Sequence, residues 1–163
     1  MAWAKNGTPV TLTSTGDDLD ITDLTAYKFN QILIHTPITN QFNIELTFDN
    51  NSNTDYASRL SSDGGPESTV TSNSSIRMYD TNATSREMFN ISYIVNIDSE
   101  EKLVIFFTGC AQAGASIAPD DRKVGVGKCD TSTNTSQFTR IDINNPDTGS
   151  YQIDSNISAI GTD

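Results

Sequence analysis

The feature that most constrains this chain is a regular alternation of apolar and polar side chains in short segments. Every second residue is apolar in the segment Phe42-Asn-Ile-Glu-Leu-Thr-Phe48. The segment from Phe89 to Ile97 alternates in the same way, with Ile94 as its exception. Because successive side chains of a β-strand point to opposite faces of a sheet, this period of two predicts strands with one buried face.

Other segments have a similar character, and polar turns separate them. Lys28 to Thr36 and Lys102 to Thr108 are typical of strands buried on both faces, and weaker strands are expected at residues 10–13, 19–24, 55–60, 75–79, 122–129, 137–143 and 153–160. Clusters such as Ser61-Ser-Asp-Gly-Gly-Pro66 favour turns. No window has a helical period. The sequence therefore predicts an all-β protein, an antiparallel β-sandwich of jelly-roll-like type.

The length of 163 residues suits one domain. We expect a single sandwich over residues 1–163, with residues 1–10 as an N-terminal arm. The polar stretch from Asp49 to Ser75 is expected to form two loops around a strand at Tyr56. Side chains expected to face the core are Phe42, Ile44, Leu46, Phe48, Phe89, Ile91, Tyr93, Val95, Ile97, Ile105 and Ile141.

The charge of the chain limits its partners. It has 21 acidic and 10 basic residues, for a net charge of −11, and the basic residues are scattered. Phosphate backbones bind positive stripes, so nucleic acid and anionic membranes are not expected partners. The longest apolar run, Leu103 to Phe107, is far shorter than a membrane span.

The sequence offers few residues for catalysis. His35 is the only histidine, and there is no Gly-x-Ser-x-Gly elbow, so a packed histidine is expected rather than a catalytic base. The segment Gly125-Val-Gly-Lys128 lacks the earlier glycine of a phosphate-binding loop, and Cys129 stands where that loop has Ser or Thr. A strand with two glycines, at a bulge or not, is the expected structure there.

Two sets of residues leave alternatives open. Calcium could bind the acidic group of Asp17, Asp18, Asp20 and Asp23, but its spacing is not that of an EF-hand loop, and turn and surface aspartates are the expected explanation. Cys110 and Cys129 lie near the ends of predicted strands and form either a disulfide or two buried thiols. We predict no catalytic residue, no cofactor and no metal ion, and the protein is not expected to be an enzyme.

Two segments carry a family resemblance. One is Asn53–Gly65, with Tyr56-Ala-Ser-Arg59-Leu60 before a glycine-rich turn; the other is Gly127–Ile143, followed by Gly149-Ser-Tyr151 and Ser158-Ala-Ile-Gly161. With the opening Met-Ala-Trp-x-Lys-x-Gly-Thr, this layout resembles small β-rich virion proteins of tailed phages and archaeal viruses, many of them marine. Relatives often have an aromatic residue where this chain has Cys129. The resemblance implies a structural component located in the virion.

Two functions follow from the fold and the resemblance. The first is a capsid-decoration or tail-associated protein whose partners are other virion proteins and further copies of itself. The alternative is a glycan-binding module of a receptor-binding or cell-surface protein, with Tyr56, Tyr79 and Tyr151 as candidates for stacking on a host-surface glycan. Trp3 either anchors the arm on a neighbour or closes its own sandwich. The residues expected at an interface are Trp3, Tyr56 and Arg59.

Overall fold

A computed structural model describes residues 2–38, 41–81, 86–112, 121–130 and 135–163. Over these residues the chain forms thirteen strands and no helix. The strands are β1 (Ala4–Lys5), β2 (Val10–Thr11), β3 (Asp18–Ile21), β4 (Phe29–Ile38), β5 (Phe42–Phe48), β6 (Tyr56–Ser62), β7 (Glu67–Asn73), β8 (Ile76–Thr81), β9 (Arg86–Val95), β10 (Lys102–Gln112), β11 (Asp121–Cys129), β12 (Ile141–Asn144) and β13 (Asn156–Thr162).

The strands pair into two antiparallel sheets. The large sheet has the order β1-β13-β4-β9-β10-β11-β6-β7, and β2 pairs with β13 as its ninth strand. The small sheet has four strands in the order β3-β12-β5-β8 and packs on one side of the large sheet. The predicted all-β antiparallel sandwich is therefore confirmed, with sheets of unequal size instead of the eight strands of a simple jelly roll.

The core lies between the sheets. Every second residue of β5 is buried, as its alternation predicts, and Ile141 of the neighbouring β12 is also fully buried. Phe48 stacks on Phe138 with ring centroids 4.5 Å apart. The core predictions for Phe42, Ile44, Leu46, Phe48 and Ile141 are thus correct.

The prediction for β9 and β10 is wrong, because these strands present the opposite face to the core. Phe89, Tyr93 and Ile105 are exposed, whereas Ile91, Val95 and Ile97 are only half-buried. The inward face of β9 carries Met88, Asn90, Ser92 and Ile94 instead, and Asn96 directly after the strand is buried as well. Three polar side chains of this segment, those of Asn90, Ser92 and Asn96, therefore lie inside the sandwich, and its large apolar side chains Phe89 and Tyr93 lie outside it.

Hydrogen bonds explain how the inward face of β9 can hold polar side chains. Asn90 Nδ2 donates to Thr108 Oγ1 at 2.8 Å, and Ser92 Oγ donates to Asn90 Oδ1 at 2.8 Å. Asn96 Nδ2 donates to the carbonyl oxygen of Phe138, and its Oδ1 accepts from the Phe138 amide. Buried polar groups cost little when their hydrogen bonds are made inside the protein.

The N-terminal segment runs along the edge of the large sheet. Both β1 and β2 pair with β13, and the Asn6 side chain between them is buried. Asn6 Nδ2 donates to Asn30 Oδ1 at 2.7 Å, and Asn6 Oδ1 accepts from the Thr25 amide at 2.7 Å. Residues 4–11 are thus held to the sheet and do not form a free arm.

The glycines of the former phosphate-loop candidate have a packing role. β11 pairs in unbroken register with β10 and β6, so the segment is a regular strand without a bulge. A Cβ atom on Gly125 would lie 2.3 Å from Cζ of Phe106, and one on Gly127 would lie 2.4 Å from Cγ2 of Ile76. Only glycine leaves room there for these core side chains.

Other sequence expectations meet the structure in part. The polar stretch after Tyr56 contains the edge strand β7, where loops alone were predicted. Cys110 and Cys129 are buried thiols that are not joined in a disulfide, so the disulfide alternative is wrong. Within the described residues, no helix has the length and apolar character needed to cross a membrane.

Candidate interaction surface

The main candidate site is the outer face of the large sheet, meaning the side turned away from the small sheet. Strands β4, β9, β10 and β11 place their alternate apolar residues there, and several keep about half of their surface exposed. Ile105, for example, is 50% exposed in the middle of β10. The exposed or half-buried apolar residues of this face are Phe29, Leu33, Phe89, Ile91, Tyr93, Val95, Leu103, Ile105, Phe107, Val124 and Val126.

Strand register brings these side chains into contiguous rows. Residues paired across an antiparallel sheet lie about 5 Å apart, close enough for their side chains to touch. The pairings of β4, β9, β10 and β11 produce the rows Phe29–Val95–Leu103, Tyr93–Ile105–Val126 and Leu33–Ile91–Phe107–Val124. The face is therefore one continuous apolar patch, because no polar row interrupts it.

A groove of about 670 Å³ lies on this outer face. Its floor and walls come from strands across the large sheet, and its apolar lining includes Trp3, Phe29, Tyr93, Leu103, Ile105 and Val126. Arg59, Thr69 and Lys128 line the groove toward β6 and β7. Trp3 lies just before β1 at the opposite edge of the sheet, so the groove crosses most of the sheet's width.

Few charged side chains surround the patch. At the described outward-facing strand positions the bases are Lys5, Arg59, Arg122 and Lys128, and the acids are Glu67 and Glu87, which gives four positive against two negative charges. Lys128 Nζ donates to Glu101 Oε1 at 2.6 Å, and this hydrogen bond raises the pKa of Lys128. The acidic excess of this chain of net charge −11 therefore lies on its other surfaces.

The three residues predicted at an interface have different positions. Trp3 is 47% exposed on the groove, and Arg59 is exposed there beside Glu67, with 3.5 Å between Arg59 Nη1 and Glu67 Oε2. Tyr56 is instead buried, and its hydroxyl accepts from the Phe48 amide and donates to the Asn51 carbonyl oxygen. The prediction is wrong for Tyr56, because its ring closes the end of the core.

The tyrosines proposed for sugar stacking are all in the core. Tyr79 and Tyr151 are fully buried like Tyr56. Tyr151 OH donates to the Asn43 carbonyl oxygen at 3.0 Å, and its ring meets the Phe42 ring edge-on. The face of a buried ring is not available to a sugar. The exposed aromatic rings on the described groove are those of Trp3, Phe29 and Tyr93.

The residues considered for catalysis or metal binding do not form one site, because His35 lies on β4 of the large sheet and the acidic group lies around β3 of the small sheet. His35 is half-exposed at the rim of the patch, with Nε2 3.9 Å from Glu87 Oε2, so it is not the packed histidine that the sequence suggests. Asp23 accepts hydrogen bonds from Thr8, whereas Asp20 pairs with Arg140 at 3.0 Å. Within the described residues, no three His, Cys, Asp or Glu side chains are grouped as metal ligands would be.

The sequence contained one signal for this surface. The glycines of β11 mark the face where core side chains approach closely, which assigns Val124 and Val126 to the other face. Register then extends that assignment to Phe107 and Ile105 on β10. Alternation alone could not make this assignment, because it separates the residues of a strand into two faces without indicating which face is buried.

Comparison with known proteins adds no assignment. No protein-family model matches the sequence, and no curated protein matches it.

Proposed function

We propose that this protein is a structural component of a virus particle, of the capsid-decoration or tail-associated kind, and that it acts by assembly. The observation that carries the proposal is the continuous apolar patch on the outer face of the large sheet. With strands about 4.8 Å apart and same-face residues about 6.7 Å apart, the ten apolar positions in these three rows give an apolar area of roughly 320 Å². The largest apolar patch of a soluble monomer is usually about this size and is often a functional site.

The residues of β9 favour stable docking on another protein over transient binding of a small ligand. Its outward residues Phe89, Ile91, Tyr93 and Val95 have the composition of a core strand, while Asn90 and Ser92 lie inside. Covering the patch would remove apolar surface from water at about 25 cal/mol per Å², or roughly 8 kcal/mol before the costs of association. This free energy favours a partner protein that keeps the patch covered throughout the life of the complex.

The proposal of a virion protein rests on the sequence resemblance, and the apolar patch supplies a surface through which such a protein could be held in a particle. Small particle proteins hold their positions through repeated contacts, and an apolar sheet face with few charges is suited to such contacts. The glycan-binding alternative has weaker support, because Tyr56, Tyr79 and Tyr151 are buried. The groove also has a mainly apolar lining, whereas sugars need several polar partners.

The test is to find the chain in purified virus particles from its source. We expect mass spectrometry to detect it in a fixed ratio to the major structural proteins. A density map of the particle should show Tyr93, Ile105 and Val126 against a neighbouring subunit. Absence from the particles, or an outer face that points into solvent there, would overturn the proposal. Saturable binding of the isolated domain to one glycan class on an array would favour the alternative.

A further inference from the structure

We infer that the outer face of the large sheet pairs with the same face of a second copy of this chain. The inference rests on the proposed docking role of that face and names its partner. Three observations carry it: the size of the face, the distribution of charge, and the match between a protruding phenylalanine and a neighbouring glycine.

The size of the face matches the requirement of a stable dimer. Strands β13, β4, β9, β10, β11 and β6 contribute to it in four rows of side chains, the fourth being His35–Phe89–Gly109–Arg122. At about 4.8 Å between strands and 6.7 Å between rows, this is roughly 29 Å by 27 Å, or about 780 Å². A standard protein interface buries about 800 Å² on each partner.

The charges permit self-association through this face and oppose it elsewhere. Two copies of a chain with net charge −11 repel one another through most of their surfaces. The outward strand positions carry four bases and two acids, and Arg59 and Lys128 already have acidic partners in Glu67 and Glu101. This face is therefore where two copies approach with the least like-charge repulsion.

Steric complementarity fixes one arrangement. Phe89 and Gly109 are paired neighbours on β9 and β10, and a Cβ atom added to Gly109 would meet no atom within 4 Å. A two-fold axis along the strands, between β9 and β10, places Phe89 of each copy over Gly109 of the other. It also places Tyr93 over Ile105 and Ile91 over Phe107, because these pairs share a row across the same axis.

The experiment measures mass by sedimentation equilibrium over a concentration series of the full chain. We expect wild-type protein to reach twice 17.7 kDa. Ile105→Asp should remain monomeric, whereas Ile153→Asp should dimerise like wild type. Ile153 is the matched control, because it is 53% exposed against 50% for Ile105 but lies in the turn before β13, outside the outer face.

A second variant tests the arrangement itself. Gly109→Leu fills open space in the single chain, so its circular dichroism and melting temperature at low concentration should match wild type. We expect it to weaken dimerisation at least tenfold. Unchanged dimerisation of both Ile105→Asp and Gly109→Leu would overturn the inference, because the contact would then lie on another surface.

A further result separates this inference from the proposed function. Wild-type protein that stays monomeric at about 100 µM, well above the Kd of stable interfaces, would overturn self-pairing. If Ile105→Asp then still failed to enter particles, the face would dock on a different virion protein and the proposed function would stand. If Ile105→Asp entered particles as well as Ile153→Asp, the docking role itself would fail.

Discussion

Phe89 and Asn90 are neighbours on β9, yet Asn90 is fully buried and Phe89 keeps 45% of its surface exposed. This is the reverse of the usual distribution of apolar and polar residues in a sandwich. The arrangement is stable inside because Asn90 has hydrogen-bond partners in Thr108 and Ser92. It leaves the chain with two apolar layers, one between its sheets and one on the outer face.

The first prediction compares two phenylalanines on opposite faces of the large sheet. Phe106 is fully buried between the sheets, so Phe106→Ala should cost about 3–5 kcal/mol. Phe89→Ala should cost less than about 1 kcal/mol in a single chain, because half of that ring already contacts water. Both are measured by urea unfolding in the Ile105→Asp background, which removes any contribution from association. Equal losses at the two sites would show that Phe89 belongs to the core.

The second prediction concerns the buried hydrogen bonds that join Ser92, Asn90 and Thr108. Asn90→Ala removes the amide that binds the Thr108 hydroxyl and leaves the Ser92 hydroxyl with only the weak acceptor Met78 Sδ, so we expect a loss of about 1–3 kcal/mol. Thr108→Val should also destabilise, and the double variant should lose less than the sum of the single losses. A double-mutant cycle by chemical denaturation measures this coupling, expected at about 0.5–3 kcal/mol. Strict additivity would contradict the hydrogen bond.

How much of the fold follows from the sequence depends on the strand. β5 was predicted to the residue, because Phe42 to Phe48 alternates cleanly and only its apolar face can line a core. β7 was missed, because Glu67 to Asn73 has Val70 as its only large apolar residue and forms an edge strand that packs against little. Short edge pairings such as β1 depend on backbone hydrogen bonds, which leave no trace in side-chain pattern.

The site was harder to predict for a physical reason. Alternation in β9 identified two faces correctly, but the choice between them was made by hydrophobicity, and the structure buries the polar face. That choice depends on long-range pairing, since Asn90 needs Thr108 from β10 and Asn96 needs Phe138. Trp3 and Arg59 were predicted at an interface, but their common groove can be recognised only once the sheet is assembled.

The third prediction uses two glycines of the large sheet as a matched pair. A Cβ atom on Gly125 would meet Phe106 at 2.3 Å and the Arg59 carbonyl oxygen at 2.7 Å, so the backbone or the core must move. We expect Gly125→Ala to destabilise by about 1–3 kcal/mol, the usual range for overpacking. Gly109→Ala meets no atom within 4 Å and should change stability by less than about 0.5 kcal/mol. Thermal unfolding at low concentration distinguishes them, and similar melting temperatures would contradict the close packing of β11.

The last prediction concerns Asp20 and the pH dependence of stability. Burial, with a further contribution from the negative charge of Asp142, raises the pKa of Asp20 from 3.8 to about 6, although Arg140 lies 3.0 Å away and opposes the shift. The folded chain therefore binds this proton more tightly than the unfolded chain does. The resulting stabilisation is complete below pH 3.8 and is lost as pH rises through 6.

Asp20→Asn removes this dependence, because an amide does not titrate. Relative to wild type, the variant should gain about 1–2 kcal/mol of stability between pH 4 and pH 7, a value reduced from the full shift because the Asp20 side chain is partly exposed. Asp23→Asn supplies a control of opposite sign. Hydrogen bonds from Thr8 lower the pKa of Asp23, so its contribution is present above pH 3.8 and lost as pH falls. Urea unfolding at pH 4 and pH 7 measures the Asp20 difference, whereas the Asp23 difference requires a comparison of pH 7 with a pH below 3.8. A gain for Asp20→Asn that is the same at pH 4 and pH 7 would show that its carboxyl group titrates alike in the folded and unfolded chains.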